Sequence, residues 1–364
     1  MKRFTTVMTM LLSFLCMVCF SLTVSAAQSF SFHVLDVGQG ESILVEADDH
    51  YMLIDGGGRE SSSFVISYLK QQGVEKIDCV AVTHYDEDHM AGLIGVMNVF
   101  VCDLFIAPAY EGSGDLYRSF AVAALSNGCV IVHGKAGMEF SLGTASVEIK
   151  GPVQPNYPLD NDRSQCFRIS YGDRHFLVCG DAEQSSETDM IINGSNLSSD
   201  LYVVNHHGSS TSSTDSFLDA VRPSYVVISC GKDNGYGHPS METLQRLQNC
   251  GISLFRTDLQ GTVIAYSDGN ELWFNLDPTD DWTAGRGDVI PIENNEIESD
   301  ASVSRQINRQ IESTQYVCNT NTKKFHYPDC NSVNQMSEKN RLDTDLSREE
   351  LIEEGYEPCG NCHP

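Results

Sequence analysis

Six consecutive residues, numbers 84–89, read His-Tyr-Asp-Glu-Asp-His and include two histidines and two aspartates, which are side chains that bind metals. They directly follow an apolar run at residues 78–83 that is typical of a buried strand. A loop at a strand end can bring imidazoles and carboxylates to one point, and that mixture of donors suits zinc, manganese or iron. A polar surface turn is the alternative, but four such side chains after a buried strand favour a metal site. The predicted metal ligands here are His84, Asp86, Asp88 and His89, and Asp88 is also predicted to act in catalysis.

Two further apolar runs end in ligand-type residues. Residues 177–181 end in Gly-Asp, so Asp181 presents a single carboxylate that is well placed to bridge two cations. Residues 203–209 contain His206 and His207, whose side chains must diverge because they are adjacent. One of the two is therefore expected to bind a metal and the other to face the substrate or support a ligand. We assign His206 to the metal and His207 to catalysis, and the sequence leaves the reverse assignment open.

Two glycine-containing loops offer donors to a substrate. Ser209 and Ser210 could present hydroxyl and backbone N–H groups to an anion, although an ordinary serine-rich loop has the same composition. His238, in the glycine-rich segment 235–239, is predicted to protonate a leaving group, with plain solvent exposure as the alternative. Divalent cations held nearby would lower the pKa of bound water toward neutrality and supply hydroxide. The residue types thus predict a hydrolase with one or two divalent cations, zinc or manganese.

The elements that must position these residues lie between residues 28 and 276. Strand-like and helix-like runs alternate there, strands outnumber helices, and polar residues cluster where strands end. This pattern predicts an α+β fold in which sheets pack together with helices outside.

The motifs form an ordered series that resembles the metallo-β-lactamase superfamily, and the series is similar in particular to the hydrolase domain of ComEC-type DNA-uptake proteins. The motifs are DVGQGES at 36–42, DGG at 55–57, THYDEDHMAG at 83–92, GD at 180–181, HHGS at 206–209 and YGHP at 236–239. The resemblance covers about residues 30–276 and implies an αββα sandwich with the metals at one edge. It also implies that Asp36 and Asp55 support the ligands without binding metal.

Two departures from the superfamily pattern concern the metals. Asp86 stands where the superfamily usually has histidine, so the first site is richer in oxygen, which favours manganese over zinc. The histidine expected before the Gly-Asp motif is also missing, since residues 160–165 read DNDRSQ. The chain is accordingly expected to hold one or two cations.

The N-terminus and the segment after residue 276 have compositions of their own. Residues 1–27 are predicted to be a signal peptide, with Lys2 and Arg3 before an apolar run, and an uncleaved anchor is the alternative. A secreted or cell-surface protein is therefore predicted, with no stable membrane span if the signal is cleaved. Residues 277–315, which are acidic and poor in aromatics, are predicted to be a linker.

A small Cys/His module is predicted at residues 316–364. A segment this short needs a metal or a disulfide to stabilise its fold, and His-x3-Cys followed by Cys-x2-Cys suits a tetrahedral zinc. The module resembles the metal-binding domain of Ada-type proteins, with a histidine in place of the first cysteine. Cys318 competes as the fourth ligand, and a disulfide is the alternative use of the thiols. The predicted structural zinc ligands are His326, Cys330, Cys359 and Cys362.

Seven further cysteines lie singly, mostly in strand-like runs. No regular disulfide spacing links them, so they are predicted to be small buried hydrophobic residues with free thiols. They are Cys79, Cys102, Cys129, Cys166, Cys179, Cys230 and Cys250.

The formal net charge of −27 bears on the substrate. An acidic surface repels nucleic acid and so counts against tight binding of a polynucleotide. The basic residues near the motif loops are Arg163, Arg168, Arg174 and Lys232. The resemblance nevertheless implies a phosphodiesterase or nuclease whose substrate is a phosphodiester, with DNA as one candidate.

Two other functions stay open. The first is hydrolysis of a small phosphoester, a choline ester or a lactone, which would need no basic groove. The second is a non-catalytic cell-surface binding protein, for which association with the cell wall is one candidate role.

Overall fold

The computed structural model describes residues 29–286, 316–327, 330–334, 336–344, 346, 348–359 and 362. The predicted signal peptide, residues 1–27, lies outside the described residues, as does most of the predicted linker. The chain divides into two compact units, Met1–Ile290 and Pro291–Pro364. None of the helices in the described ranges is long and apolar enough to cross a membrane.

An eight-stranded sheet forms one half of the first unit. Its strands are β1 (Phe30–Val34), β2 (Ile43–Ala47), β3 (His50–Ile54), β4 (Lys76–Ala81), β5 (Val101–Ala107), β6 (Val130–His133), β14 (Val263–Ser267) and β15 (Leu272–Phe274). They lie in the order β15-β14-β1-β2-β3-β4-β5-β6, with parallel pairing from β3 to β6. Parallel neighbours need a crossover connection, and three helices supply it. These helices are α1 (Ser62–Gln71), α2 (Glu87–Val99) and α3 (Gly114–Asn127).

A seven-stranded sheet forms the other half. Its strands are β7 (Glu139–Leu142), β8 (Ala145–Gly151), β9 (Cys166–Tyr171), β10 (Arg174–Val178), β11 (Leu201–Val203), β12 (Tyr225–Ile228) and β13 (Ser253–Arg256). They lie in the order β13-β12-β11-β10-β9-β8-β7, and β10 to β13 pair in parallel. The connecting helices are α4 (Gln184–Ile192), α5 (Asp215–Val221) and α6 (Met241–Asn249), and the short α7 (Thr257–Gln260) follows β13. Short 3-10 helices lie at Arg59–Ser61, Asn161–Arg163 and Asn205–Gly208.

The main core lies between the two sheets. Phe32 of β1 stacks on Phe176 of β10 with ring centroids 5.2 Å apart, and both side chains are fully buried. Each such burial contributes about 1.5–3 kcal/mol. Helices α1 to α3 cover the outer face of the first sheet with a second apolar cluster, and helices α4 to α6 cover the second sheet with a third. The layers are therefore helix, sheet, sheet, helix, which confirms the predicted αββα sandwich.

The first part of the predicted linker belongs to the first unit. Trp282 and Ala284 pack against the apolar cluster that covers the second sheet. The Thr279 N–H donates to Leu254 O at 2.8 Å, and the Gly285 N–H donates to Pro239 O at 2.8 Å. The boundary predicted at residue 277 therefore falls too early, because an acidic segment can still be anchored by one aromatic side chain.

Two of the cysteines predicted to be free form a disulfide, Cys166–Cys179. They lie beside each other because β9 and β10 are antiparallel neighbours, with Phe167 opposite Val178. The prediction was wrong for this pair. The disulfide depends on the pairing of β9 with β10, which the spacing of the cysteines along the sequence does not reveal. Three other thiols, those of Cys79, Cys102 and Cys230, are free and buried as predicted, whereas Cys129 is half-buried and Cys250 is exposed.

The second unit is built on a four-stranded sheet. Its strands are β16 (Tyr316–Asn319), β17 (Lys324–His326), β18 (Arg341–Thr344) and β19 (Glu357–Pro358), in the order β18-β16-β17-β19. Two short helices, α8 (Asn331–Asn334) and α9 (Arg348–Glu353), and a 3-10 turn at Glu338–Asn340 complete it. Its small core includes Val317, Phe325 and Leu351.

Candidate metal centre

The ligand-type residues come from strand ends in both sheets of the first unit. Strand β4 ends just before the 84–89 segment, and that segment runs into the first turn of α2. Strand β10 delivers Asp181, and β11 delivers the histidine pair. A left-handed φ of 52° at Gly180, where a Cβ would lie 2.6 Å from Thr83 Oγ1, lets these segments approach closely. The centre therefore lies where the two sheets meet.

One group of donors surrounds the Oδ2 atom of Asp181. His84 Nε2 and His206 Nε2 each lie 3.7 Å from it. Asp86 Oδ2 lies 3.8 Å from His84 Nε2, and 53% of the Asp86 side chain is exposed. The structure thus brings four predicted ligands together, with Asp86 at the open side.

A second group surrounds the Oδ1 atom of Asp181. His89 Nε2 lies 3.1 Å from it and His207 Nε2 lies 3.5 Å from it. Asp88 Oδ2 is 3.4 Å from His207 Nε2, and the Nε2 atoms of His89 and His207 are 3.2 Å apart. Donors at such spacings are neighbours that one cation with bonds of about 2.0–2.2 Å could join. His207, predicted to be catalytic, is therefore placed among ligands, and His206 faces the other oxygen of Asp181.

The chemistry of the donor set fits divalent cations. His84 Nε2 and Asp181 Oδ1 are buried without a hydrogen-bond partner among the described residues. Burial opposes ionisation of Asp181, yet the nearby His89 and His207 hold its pKa well below the usual range. Burial also opposes charge on His207, but Asp181 and Asp88 raise its pKa to about 9. The cluster thus holds carboxylates that require positive charge, which a cation would supply.

Asp55 holds the metal-ligand segment in place through hydrogen bonds, as the resemblance implied. Its carboxylate accepts hydrogen bonds from the Thr83 N–H at 2.7 Å and from Thr83 Oγ1 at 2.6 Å. It also accepts one from His89 Nδ1 at 2.7 Å, which leaves Nε2 free to face Asp181. The Ser229 carbonyl does the same for His207, accepting from Nδ1 at 2.9 Å. Sequence reasoning missed Thr83 and Ser229 because a hydroxyl and a backbone carbonyl carry no ligand signature.

Asp36 does not share this role, and the prediction for it is wrong. It is exposed, and among the described residues its carboxylate accepts one hydrogen bond, at 3.4 Å from the Gly38 N–H. Its backbone N–H is held by Thr262 Oγ1 at 3.1 Å. The motif around it acts instead through its backbone. A Cβ on Gly40 would lie 2.3 Å from Asp88 O, so this turn packs directly on the ligand loop.

The histidine pair is held in a strained turn. His206 and His207 have left-handed φ values of 51° and 54°, each of which costs about 1–2 kcal/mol. This conformation separates their rings, whose planes are 69° apart. Glu187 of α4, which is fully buried, accepts from Asn205 Nδ2 at 3.0 Å and from the Thr214 N–H at 3.0 Å, so it fixes both ends of the loop. No sequence pattern pointed to Glu187.

The segment that lacks the expected histidine has a positioning role. Ser164 Oγ accepts from the Asp181 N–H at 3.2 Å. The Gln165 N–H donates to Thr83 O at 2.9 Å, and Gln165 Nε2 donates to Val82 O at 2.8 Å. Residues 160–165 therefore hold the two ligand loops together.

The serine pair and His238 lie beside the centre. Ser209 is buried, its N–H donates to His206 O at 2.8 Å, and its hydroxyl lies 3.0 Å from Thr211 Oγ1. These internal contacts count against the predicted anion-binding role of Ser209, whereas Ser210 is exposed. Burial, together with His207 and His206, lowers the pKa of His238 to about 3. Its imidazole is thus neutral at pH 7, and its action as a proton donor stays a prediction.

The second unit contains a separate cluster. His326, Cys330, Cys359 and Cys362 each offer a donor atom within 4.8 Å of the others. Cys330 and Cys362 form no disulfide among the described residues, and His326 Nδ1 is buried there without a hydrogen-bond partner. Burial disfavours the thiolate of Cys330, but hydrogen bonds with His326, Ser332 and Cys362 together outweigh burial and lower the pKa of Cys330 to about 6. Cys318 packs in a different apolar cluster, with Tyr316 and Phe325. These donors fit a tetrahedral zinc better than a disulfide.

Comparisons with known proteins agree with this geometry. Residues 35–232 match the model of the metallo-beta-lactamase superfamily. The competence protein ComA of Neisseria gonorrhoeae is 31% identical over 232 residues, which are 63% of this chain and 31% of ComA. The ComE operon protein 3 of Bacillus subtilis is 27% identical over 248 residues, 63% of this chain and 32% of that protein. The chain thus spans about a third of the length of these relatives.

Solved structures also resemble the chain. The metallo-beta-lactamase fold protein YhfI of Bacillus subtilis aligns with 68% of this chain and 100% of its own, at 11% identity and a TM-score of 0.45. CmlA, a diiron beta-hydroxylase from Streptomyces venezuelae, aligns with 63% of this chain and 53% of its own, at 15% identity and a TM-score of 0.42.

Proposed function

The chain belongs to the metallo-beta-lactamase superfamily of metal-dependent hydrolases, and from that premise we propose that it is an exported phosphodiesterase. The observation that carries the proposal is the position of Asp181, whose two oxygens face two separate groups of donors. Each site would combine two imidazole nitrogens with two carboxylate oxygens, because Asp86 adds an oxygen donor to the first, and this mixture suits manganese as well as zinc. The similarity to competence proteins supports a phosphodiester of nucleic acid as the substrate.

Each of the two donor groups would hold one cation. One cation would be held by His84, Asp86 and His206, and the other would be held by Asp88, His89 and His207. Asp181 would contact both cations. When bound, divalent cations lower the pKa of water toward neutrality and stabilise negative charge on a phosphoryl oxygen. Asp55 and Ser229 orient the imidazoles so that their Nε2 atoms face inward. The ring of His238 lies 5.5 Å from that of His206, where it can hydrogen-bond a substrate oxygen.

The charge distribution favours a small or short substrate over duplex DNA. Of the basic residues near the loops, Arg163 donates to Tyr157 O at 2.7 Å and Arg168 donates to Ser198 O at 2.9 Å. Arg174 pairs with Asp200 at 2.9 Å. These guanidinium groups stabilise the fold, so they do not form the basic groove that tight duplex binding requires.

A substrate panel tests the proposal. The chain without its predicted signal peptide should cleave bis(p-nitrophenyl) phosphate and short single-stranded DNA with added Mn²⁺, and chelation should abolish both activities. Duplex DNA should be cleaved more slowly, and its cleavage should fall steeply with salt. Activity on a lactone or choline ester, with none on either phosphodiester, would overturn the proposal in favour of a different ester hydrolase. No activity on any of these substrates would instead support a binding role.

A further inference from the structure

The loop between β12 and α6 carries an exposed aromatic side chain beside the metal centre. Tyr236 is 73% exposed, so much of its ring is accessible to a substrate. The loop itself is ordered by the buried Asn234, whose Oδ1 accepts from the N–H groups of Tyr236 at 3.2 Å and His238 at 3.0 Å. Its Nδ2 also donates to Gly231 O at 2.8 Å. Asn234 therefore fixes the backbone of the loop, and the ring of Tyr236 extends from it toward solvent.

Tyr236 continues a series of rings that begins at the metal centre. Its ring stacks on that of His238, with centroids 5.7 Å apart and planes 24° apart. The His238 ring in turn stacks on that of His207, at 6.3 Å and 29°. A flat substrate group that lies on Tyr236 would thus be next to a bond cleaved at the metals.

One cation on the same loop is available to a substrate. Lys232 is exposed and takes part in no ion pair among the residues that the structure describes. The three arginines near the site are engaged in contacts within the fold, as described above. The loop therefore presents one aromatic face and one free ammonium group close to a strongly acidic centre.

We propose that Tyr236 stacks on a nucleobase adjacent to the scissile phosphodiester, so that the substrate is a single-stranded nucleotide chain. This inference rests on the proposed phosphodiesterase function. Stacking on an aromatic side chain tolerates any base, and it does not need the basic groove that this acidic protein lacks. A duplex hides its bases in the helix, so it could not use this surface. Lys232, on the same loop, would contact a flanking phosphate.

The test compares two octanucleotides, oligothymidylate and an abasic oligomer of the same length, with Mn²⁺ present. Tyr236→Ala should raise KM for oligothymidylate about tenfold, the size expected for one lost base stack, with little change in kcat. KM for the abasic oligomer should stay the same, because that substrate has no base to stack. Tyr236→Phe should behave like the wild type, since the ring supplies the contact. Trp273→Ala is the matched control, since Trp273 is 48% exposed on β15 and stacks on Tyr266.

Three results would overturn the inference, and they differ in whether the phosphodiesterase function still holds. If the wild type cleaves both octamers with the same KM and Tyr236→Ala changes neither, the stacking role is wrong while the phosphodiesterase function stands. If the wild type cleaves neither octamer nor bis(p-nitrophenyl) phosphate, the proposed function fails and the inference fails with it. If Tyr236→Ala lowers kcat on both octamers, the inference is also contradicted, because disruption of the loop and not loss of a base contact would then be the cause.

Discussion

Asp181→Asn is expected to lower kcat on bis(p-nitrophenyl) phosphate at least about 100-fold, because altering groups that merely support a ligand already costs about 10- to 100-fold. Asp181 faces both donor groups, at 3.1 Å from His89 Nε2 and at 3.7 Å from His84 Nε2. An amide removes the negative charge and leaves only one oxygen to coordinate. Its nitrogen cannot coordinate the second cation in its place. The variant should therefore also bind less Mn²⁺ per chain at equilibrium.

A matched control separates this effect from general damage. Asp219→Asn makes the same chemical change on an exposed side chain of α5, and it should leave both the rate and the metal content unchanged. Thermal unfolding without metal should be unchanged in Asp219→Asn and slightly easier in Asp181→Asn, because the low pKa of Asp181 means that its ionised form, beside His89 and His207, stabilises the fold. Full activity in Asp181→Asn, with wild-type metal content, would contradict the assignment.

Removal of zinc is expected to unfold the second unit. Its core consists of a few side chains, such as Val317, Phe325 and Leu351, which is too little to offset the entropy of ordering the chain. Structural zinc bound by three thiolates and an imidazole contributes about 10–16 kcal/mol in small domains. Limited proteolysis of the full chain should thus cut residues 316–362 only after a strong chelator has removed one zinc per chain.

Cys330→Ser should give the same protease sensitivity without any chelator. Cys318→Ser is the control, because Cys318 lies in a separate apolar cluster and should keep the zinc. Loss of zinc from Cys318→Ser together with its retention in Cys330→Ser would reverse the ligand assignment. A protease-resistant unit that contains no zinc would refute the structural role of the metal.

Most residues of the candidate centre can be predicted from the sequence because ligand chemistry is local. The 84–89 segment, Asp181 and the histidine pair each follow an apolar strand, and parallel strand ends meet at one edge of a sheet. What could not be predicted depends on contacts between distant segments. Glu187 fixes the histidine loop from another element, and the disulfide Cys166–Cys179 requires the pairing of β9 with β10.

The orientation of individual side chains was also beyond the sequence. Asp36 and Asp55 occupy similar motifs, yet only Asp55 reaches a ligand. Asp55 has a left-handed φ of 58°, a backbone geometry that the residue pattern does not predict. His206 and His207 were likewise indistinguishable, because the left-handed turn that separates their rings arises from the packing of the loop.

We infer that Asp181 joins two cation sites, and anomalous diffraction from crystals grown with Mn²⁺ would show the positions of both cations. We expect two anomalous peaks in the first unit, one beside His84, Asp86 and His206 and the other beside Asp88, His89 and His207, each in contact with Asp181. A single peak, or a peak that does not touch Asp181, would contradict the claim.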